Sequence, residues 1–137
     1  MLGEFSFENI LLANEQNRNA FFGGLHGSVY GCLRHVVTTH CVESYCCPNY
    51  HPLSDGVALE GMRLIKENLV KAVKKPKDLD ARGNMLMASA MGATAFQKGM
   101  GAIHALSHPF GGLYDAHHGM LNGIIMPYVL KANARKI

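Results

Sequence analysis

Histidine is the residue type that most suggests chemistry in this sequence. The 137-residue chain contains eight histidines, and four of them lie between positions 102 and 119: His104, His108, His117 and His118. Side chains four residues apart share one face of a helix, so His104 and His108 could meet a common ion or substrate. Because such a pair also arises in a histidine-rich chain by chance or through ordinary polar packing, the pair alone is not a site.

Two other features indicate where further imidazoles could join this pair. His118 falls at a predicted helix start, beyond a glycine break at 111–112 that lets the chain turn back. His40 lies in an earlier helix, three residues before Glu43. Three imidazoles from three helices inside an apolar bundle would form a half-closed site for a borderline divalent metal such as Fe²⁺ or Zn²⁺. An isolated buried charge is too costly, so the ion and its ligands would have to compensate one another.

The pattern of the surrounding sequence predicts helices for these histidines. Apolar residues recur at helical spacing, and Pro48 and Pro76 end two of the predicted helices. Ser54 or Asp55 is placed to cap the second helix and Asp78 to cap the third. No segment shows the alternation typical of a strand. The prediction is an all-α helical bundle with helices over about 28–47, 55–75, 78–98, 102–113 and 119–132.

The chain is long enough for one domain and apolar enough to fold. Hydrophobic residues make up 48% of it and charged residues only 17%, whereas disordered chains combine low hydrophobicity with high charge. Residues 28–137 are expected to form one helical metal-binding domain, preceded by a poorly defined lead-in over 1–27. Small residues and methionines concentrate in the third predicted helix, which is therefore expected to be central.

Composition argues against several other classes of protein. The net charge is only +3, and the lysines clustered over 66–77 lack interleaved aromatic residues, which disfavours nucleic-acid binding. No apolar run approaches the roughly 20 residues that a membrane helix needs, and the first residues show no basic start or cleavage site, so a soluble cytoplasmic protein is expected. The cysteines lie in one short segment without a CxxC pair and are expected to be reduced thiols: Cys32, Cys41, Cys46 and Cys47.

Two stretches of the chain resemble a known family. The segments HPLSDGVALEGMRLIKENL and GMGAIHALSHPFGGLYDAHHGMLNG are similar to the C-terminal domain of the iron-containing (group III) alcohol dehydrogenases. The similarity is continuous from about Thr39 to Asn133, and the pattern IHALSHPFGG…HG is its most specific part. The resemblance implies an all-helical, metal-binding domain of the dehydroquinate synthase-like fold. It also implies an enzyme that interconverts small alcohols and aldehydes with NAD(P).

The resemblance implies roles for individual histidines as well. In the family an aspartate and three histidines hold the metal, and the histidines match His40 in TTHCVESY, His104 in AIHALSH and His118 in HHGM. These three are therefore the expected ligands of a divalent metal, Fe²⁺ first and Zn²⁺ as the alternative. His108, one turn after His104, is expected beside the nicotinamide and the substrate, as a catalytic residue that handles a proton or orients the substrate.

One departure from the family pattern concerns the metal ligands. The family's aspartate would stand four residues before His40, where this chain has Val36, which cannot coordinate a metal. His35 projects about 100° away around a helix and is a poor replacement. Three neutral imidazoles without a carboxylate leave the charge of the ion uncompensated, so weakened affinity is expected. Glu43 and a water molecule are left as candidates for the fourth position.

A second departure concerns the cofactor. The family's glycine-rich turn, which receives the pyrophosphate at a helix N-terminus, has no match, because the glycine clusters at 22–27 and 99–101 follow no predicted strand. The chain is therefore expected to supply only the metal-binding half of a site, with the nucleotide-binding domain absent. Two hypotheses follow: an enzyme, incomplete or completed by a partner chain, and a non-catalytic helical remnant or interaction module. Uncovered apolar surface favours a homo-oligomer under both.

Overall fold

The computed structural model describes residues 25–135, with side chains described over 36–135. The predicted lead-in lies outside the described residues up to position 24, and so do the side chains of Cys32 and His35. The described residues form helices and no strand, which confirms the all-α prediction. In chain order the elements are α1 (Leu25–Cys46), α2 (Pro52–Lys74), α3 (Leu79–Ala95), a 3₁₀ turn (Phe96–Lys98), α4 (Ala102–Tyr114) and α5 (His118–Asn133).

The starts of α2 and α3 show which side chains begin these helices. Helix α2 is capped by His51, whose Nδ1 accepts a hydrogen bond from the backbone N–H of Ser54 at 3.2 Å. The cap predicted at Ser54 or Asp55 is therefore wrong, because Pro52 already stands in the first turn with no N–H to satisfy. The cap predicted at Asp78 is confirmed, since its Oδ1 accepts from the backbone N–H of Ala81 at 3.0 Å.

Helix α1 lies at the centre of the bundle. It packs against α2, α3 and α5, whereas α3 packs along α2 and against α1, so the prediction that the third predicted helix (α3) would be central is wrong. Glycines of α2 and α3 instead allow both helices to approach α1 closely. A Cβ added to Gly61 would lie 2.8 Å from Cys41 Sγ, and one added to Gly92 would lie 3.1 Å from the same sulfur. Glycine at both positions therefore lets α2 and α3 close onto α1.

The hydrophobic core follows this three-helix contact and continues to the inner faces of α4 and α5. Burying aliphatic side chains of this size stabilises a fold by about 1.5–3 kcal/mol each, so the core holds α4 and α5 against the rest. Its members share near-complete burial: Val37, Cys41, Val42, Ala58, Met62, Leu64, Ile65, Leu69, Ala88, Ala95, Ile103, Met126 and Leu130.

A buried ion pair fixes the turn between α3 and α4. The ammonium of Lys98 contacts Asp55 Oδ1 at 2.5 Å, and the Lys98 side chain is only 4% exposed. The backbone carbonyl of Lys98 accepts from Asn49 Nδ2 at 3.1 Å. Gly99 follows with φ of +147°, a conformation that side chains rarely adopt. This turn ends α3 at Ala95, three residues before the predicted end, and sets the starting point of α4.

Within residues 25–135, no helix is both long and apolar enough to cross a membrane. Helix α2, at 23 residues the longest of those described, carries the surface ion pairs of Arg63 with Glu60 and Glu67.

Candidate metal centre

Three helices bring four imidazoles together at one end of the bundle. His40 comes from α1, His104 and His108 from α4, and His118 is the first residue of α5. The ring centroid of His104 lies 5.1 Å from that of His40, 5.6 Å from that of His108 and 5.2 Å from that of His118. The rings of His108 and His118 are also 5.2 Å apart. The four histidines expected as metal ligands or catalytic residue thus belong to one cluster with His104 at its centre, whereas His117 is exposed just before α5.

The cluster is buried at its centre and open at one edge. The His104 side chain is 1% exposed, and His40 and His118 are partly buried, whereas His108 is exposed. The ring of Phe96 closes the opposite side, 4.4 Å from the ring of His40 and 4.9 Å from that of His104. The most exposed edge of the cluster is therefore the one where His108 lies.

Glu43 fixes the orientation of the central imidazole. Its carboxylate is 4% exposed; Oε1 accepts from the backbone N–H of Ile103 at 2.6 Å, and Oε2 pairs with His104 Nδ1. This contact engages Nδ1 of His104, so Nε2 is the ring nitrogen that faces Asn122. Both oxygens of Glu43 are engaged in this way. In this arrangement Glu43 supports a candidate ligand, and its expected place as a fourth metal ligand stays a prediction.

The approach of Glu43 to α4 depends on Gly101. A Cβ at position 101 would lie 2.5 Å from Glu43 Oε1 and 2.9 Å from its carboxyl carbon. Gly101 is also the residue that precedes the first turn of α4, where free backbone N–H groups favour a nearby negative charge. The absent side chain therefore leaves the space in which the carboxylate meets the start of the helix.

Asn122 is a member of the cluster that the sequence analysis missed. Its side chain is fully buried, and its Nδ2 lies 3.3 Å from His104 Nε2 and 3.1 Å from His118 Nε2. Its Oδ1 is buried without a hydrogen-bond partner. The signal available in the sequence was its place four residues after His118, which puts both side chains on one face of α5. An asparagine at that spacing is more often simple polar packing, and only the position of α4 reveals its second contact.

Burial keeps two of these imidazoles neutral. Burial, together with the neighbouring His104 and His118, lowers the pKa of His40 to about 4, against a smaller opposite effect of the Glu43 carboxylate. Burial first, and then the nearby histidines, also lowers the pKa of His118. A neutral imidazole has an unprotonated nitrogen, which is the form that binds a metal ion. Both side chains are therefore ready to coordinate at neutral pH.

The side chains in the cluster are of the type that binds borderline divalent ions. They are imidazoles, and the Nδ1 of the central one contacts a buried carboxylate, an arrangement common around metal-binding histidines. Val36, one turn before His40 on α1, supplies no oxygen. As the side chains lie, no group of three or more histidine, cysteine or acidic residues among those described is arranged to hold an ion. The fit therefore rests on the donor chemistry and on the two Nε2 atoms that meet at Asn122.

Comparisons with known proteins agree with this helical arrangement. A family model described as "Fe-containing alcohol dehydrogenase family, C-terminal" matches residues 36–137. The 4-hydroxybutyrate dehydrogenase of Cupriavidus necator is 46% identical over 100 residues, which are 69% of this chain and 26% of that protein. The 1,3-propanediol dehydrogenase of Klebsiella pneumoniae is 41% identical over 96 residues, which are 69% of this chain and 25% of that protein.

A solved structure gives the same result in three dimensions. The crystal structure of a 1,3-propanediol oxidoreductase superposes with a TM-score of 0.68 at 39% identity, covering 71% of this chain and 26% of that one. The chain thus spans about a quarter of the length of the relatives it matches.

Proposed function

We propose that this chain, which belongs to the Fe-containing alcohol dehydrogenase family through its C-terminal domain, forms the metal-binding side of an active site for NAD(P)-dependent interconversion of small alcohols and aldehydes. The family match confirms the resemblance drawn from the sequence. Relatives named for 4-hydroxybutyrate, 1,3-propanediol and methanol support a small alcohol as the substrate class. The cytoplasm is the proposed location, in agreement with free thiols at Cys41, Cys46 and Cys47.

The observation that carries this proposal is the pairing of Glu43 with His104. It engages Nδ1 of His104 and so leaves Nε2 as the nitrogen available for a metal, in a ring next to those of His118 and His40. We assign these three histidines as ligands of a divalent ion, Fe²⁺ first and Zn²⁺ as the alternative. When bound, the ion supplies Lewis acidity that lowers the pKa of an alcohol hydroxyl.

His108 is proposed as the catalytic residue at the open edge. Its exposed ring lies within 5.6 Å of the rings of His104 and His118, measured between centroids. In alcohol oxidation the hydroxyl gives up its proton and the carbon gives a hydride to the nicotinamide, which leaves the aldehyde. A ring nitrogen of His108 receives that proton and releases it to solvent. Its exposure supports this role, because a proton acceptor needs a route to water.

Nicotinamide binding by this chain alone is proposed to be weak. A phosphate-binding turn of the usual kind follows a strand, and residues 25–135 contain none. Micromolar affinity for NAD in calorimetry would contradict this.

A second candidate function is that of a non-catalytic interaction module. The observation that favours it is the exposed apolar surface of α4 and α5, which suits association with another protein surface or a second copy of the chain. Its members are Leu106, Phe110, Leu113, Tyr114, Met120, Ile124 and Tyr128. A homo-oligomer is proposed on the same ground, and light scattering of the purified chain would show a monomer if it is wrong.

Metal repletion separates the two functions. The chain is stripped with a chelator, repleted with Fe²⁺ or Zn²⁺, and assayed for bound metal and for alcohol-dependent NAD(P) reduction. We expect stoichiometric uptake that His104→Ala abolishes and that the matched control His51→Ala, outside the cluster, retains. Val36→Asp is expected to tighten binding by adding a carboxylate one turn before His40. Equal uptake by the wild type and His104→Ala would overturn the proposed centre.

A further inference from the structure

A crevice lies between the C-terminal ends of α1 and α5 and the first turn of α4. Its volume is about 120 Å³. The apolar side chains that line it come from all three helices and from the turn before α4: Val42, Met100, Ala102, Ile103, Val129 and Leu130. None of the four clustered histidines is among the described residues around it. The crevice is therefore a space separate from the candidate metal centre.

Glu43 separates the crevice from the histidine cluster and sets the charge of an occupant. Its side chain lines the crevice, is 4% exposed, and contacts the backbone N–H of Ile103 and Nδ1 of His104. Both carboxylate oxygens thus have partners within the protein. The negative charge disfavours an anion, because like charges repel strongly in apolar surroundings. A small cation would lose its hydration against walls that are mostly hydrocarbon. The crevice therefore suits an uncharged molecule.

The crevice is a poor site for ordered water. A buried water molecule needs about two to four polar partners. The described side chains that bring hydrogen-bond donors to the crevice are those of Cys46, Cys47 and Asn133. Thiols are weak donors, and that of Cys47 already donates to the backbone carbonyl of Lys98 at 3.5 Å. Displacing poorly paired water by an apolar group favours binding, so hydrocarbon is the better occupant.

We propose that the crevice binds a small uncharged molecule of about four to six non-hydrogen atoms, mostly apolar and with one polar group. A cavity of about 150 Å³ with hydrocarbon walls holds benzene, so a volume of about 120 Å³ admits a slightly smaller molecule. The apolar part lies against Met100, Val129 and Leu130, and the polar group faces the carboxamide of Asn133. This inference uses neither a metal nor nicotinamide, so it stands or falls independently of the proposed function.

Titration of the full chain with tert-butanol, followed by NMR of the side-chain methyl groups, tests the proposal. This alcohol has the expected size and no hydrogen on its carbinol carbon, so it is not a substrate of the proposed reaction. We expect saturable shifts at Met100, Val129 and Leu130, with a dissociation constant on the order of millimolar. Butyrate, similar in size but anionic, should give no saturable shift. Binding of butyrate as tight as that of tert-butanol, or shifts that do not saturate, would overturn the proposal.

A substitution that fills the crevice locates the binding. Val129→Phe places a larger side chain in the crevice and should weaken tert-butanol binding at least roughly tenfold. Val70→Phe makes the same change on the exposed surface of α2 and is the matched control, which should bind like the wild type. Equal binding by Val129→Phe would show that the alcohol lies elsewhere.

Thiol modification of the unaltered chain gives a second test that does not depend on how Val129→Phe folds. Methyl methanethiosulfonate transfers its CH₃S group to a cysteine thiolate, which forms a mixed disulfide and releases methanesulfinate. Cys46 lines the crevice and is partly buried, so an occupant should shield it. At about ten times its dissociation constant, tert-butanol leaves about one crevice in ten free and should slow modification of Cys46 roughly tenfold. Free cysteine in the same solution reports any effect of the alcohol on the reagent. An unchanged relative rate at Cys46, assigned by tandem mass spectrometry, would overturn the proposal.

Discussion

Replacing Glu43 with alanine should be among the most destabilising single changes at the centre. The substitution removes the acceptor of two buried donors, the Ile103 N–H and His104 Nδ1. Each buried donor left unpaired costs about 1–3 kcal/mol, so the two together give a loss of about 2–6 kcal/mol. The free energy of unfolding of a domain is typically about 5–15 kcal/mol, so this substitution should remove a large part of it.

Urea unfolding followed by circular dichroism measures this loss, with Glu60→Ala as the matched control. Glu60 is also a hydrogen-bonded glutamate, but its partner Arg63 lies on the exposed surface of α2, where ion pairs contribute little. A Glu43→Ala variant as stable as Glu60→Ala would refute the reasoning. Since Glu43→Ala could leave too little folded protein, Glu43→Gln provides a second readout: its amide N–H faces His104, so ¹⁵N spectra should show the His104 proton moved from Nδ1 to Nε2. An unmoved proton would contradict the assigned role of Glu43.

Three further predictions concern neighbouring contacts. Gly101→Ala should lower the free energy of unfolding by about 1–3 kcal/mol, because the new Cβ would lie 2.5 Å from Glu43 Oε1. Asp55→Asn should lower the thermal midpoint, because it leaves the buried Lys98 ammonium without its counter-charge. Stability of the metal-free chain should fall as pH is lowered from about 6.5 to about 4, because the pKa of His40 is lowered to about 4 in the fold and the unfolded chain takes up the proton first.

Matched variants control for these three. Gly83→Ala should be neutral or stabilising, since a Cβ there meets nothing within 4 Å and alanine favours a helix. Asp80→Asn removes an exposed carboxylate from the start of α3 and should shift the midpoint less than Asp55→Asn does. His40→Phe should flatten the pH dependence between 6.5 and 4. A slope unchanged by that substitution would assign the effect to other groups.

The fold followed from the sequence because its signals are local. Proline, glycine and an aspartate cap mark the helix limits, and the described helices begin within about three residues of the predicted positions. The sequence predicts Ser54 or Asp55 as the cap of α2 and misses His51, because an imidazole is not among the side chains that usually cap a helix. The end of α3 was placed too late because Lys98 continues a helical pattern, while its pairing with Asp55 depends on tertiary contact.

The candidate centre was predictable only in part. Histidine spacing and the family resemblance selected His40, His104, His108 and His118, and the structure brings these four together. The residues that orient them are not visible in spacing. Glu43 contacts Ile103 and His104 because α1 meets the first turn of α4. Spacing alone does not reveal this tertiary contact, and a glutamate in a helix is usually interpreted as a surface residue. The assignment of His40, His104 and His118 as metal ligands and of His108 as the catalytic residue stays a prediction.

The packing of α1 against two glycines has a consequence for thiol chemistry. Cys41 Sγ lies where α1, α2 and α3 meet, and burial raises the pKa of this thiol to about 12. Only the thiolate reacts with alkylating reagents, so the folded bundle offers almost none at neutral pH. Alkylation of Cys41 requires the helices to separate. The alkylation rate at this sulfur therefore reports how often the interior of the bundle opens. Tandem mass spectrometry that assigns the modified sulfur, and so separates Cys41 from the less buried Cys46 and Cys47, could follow this opening.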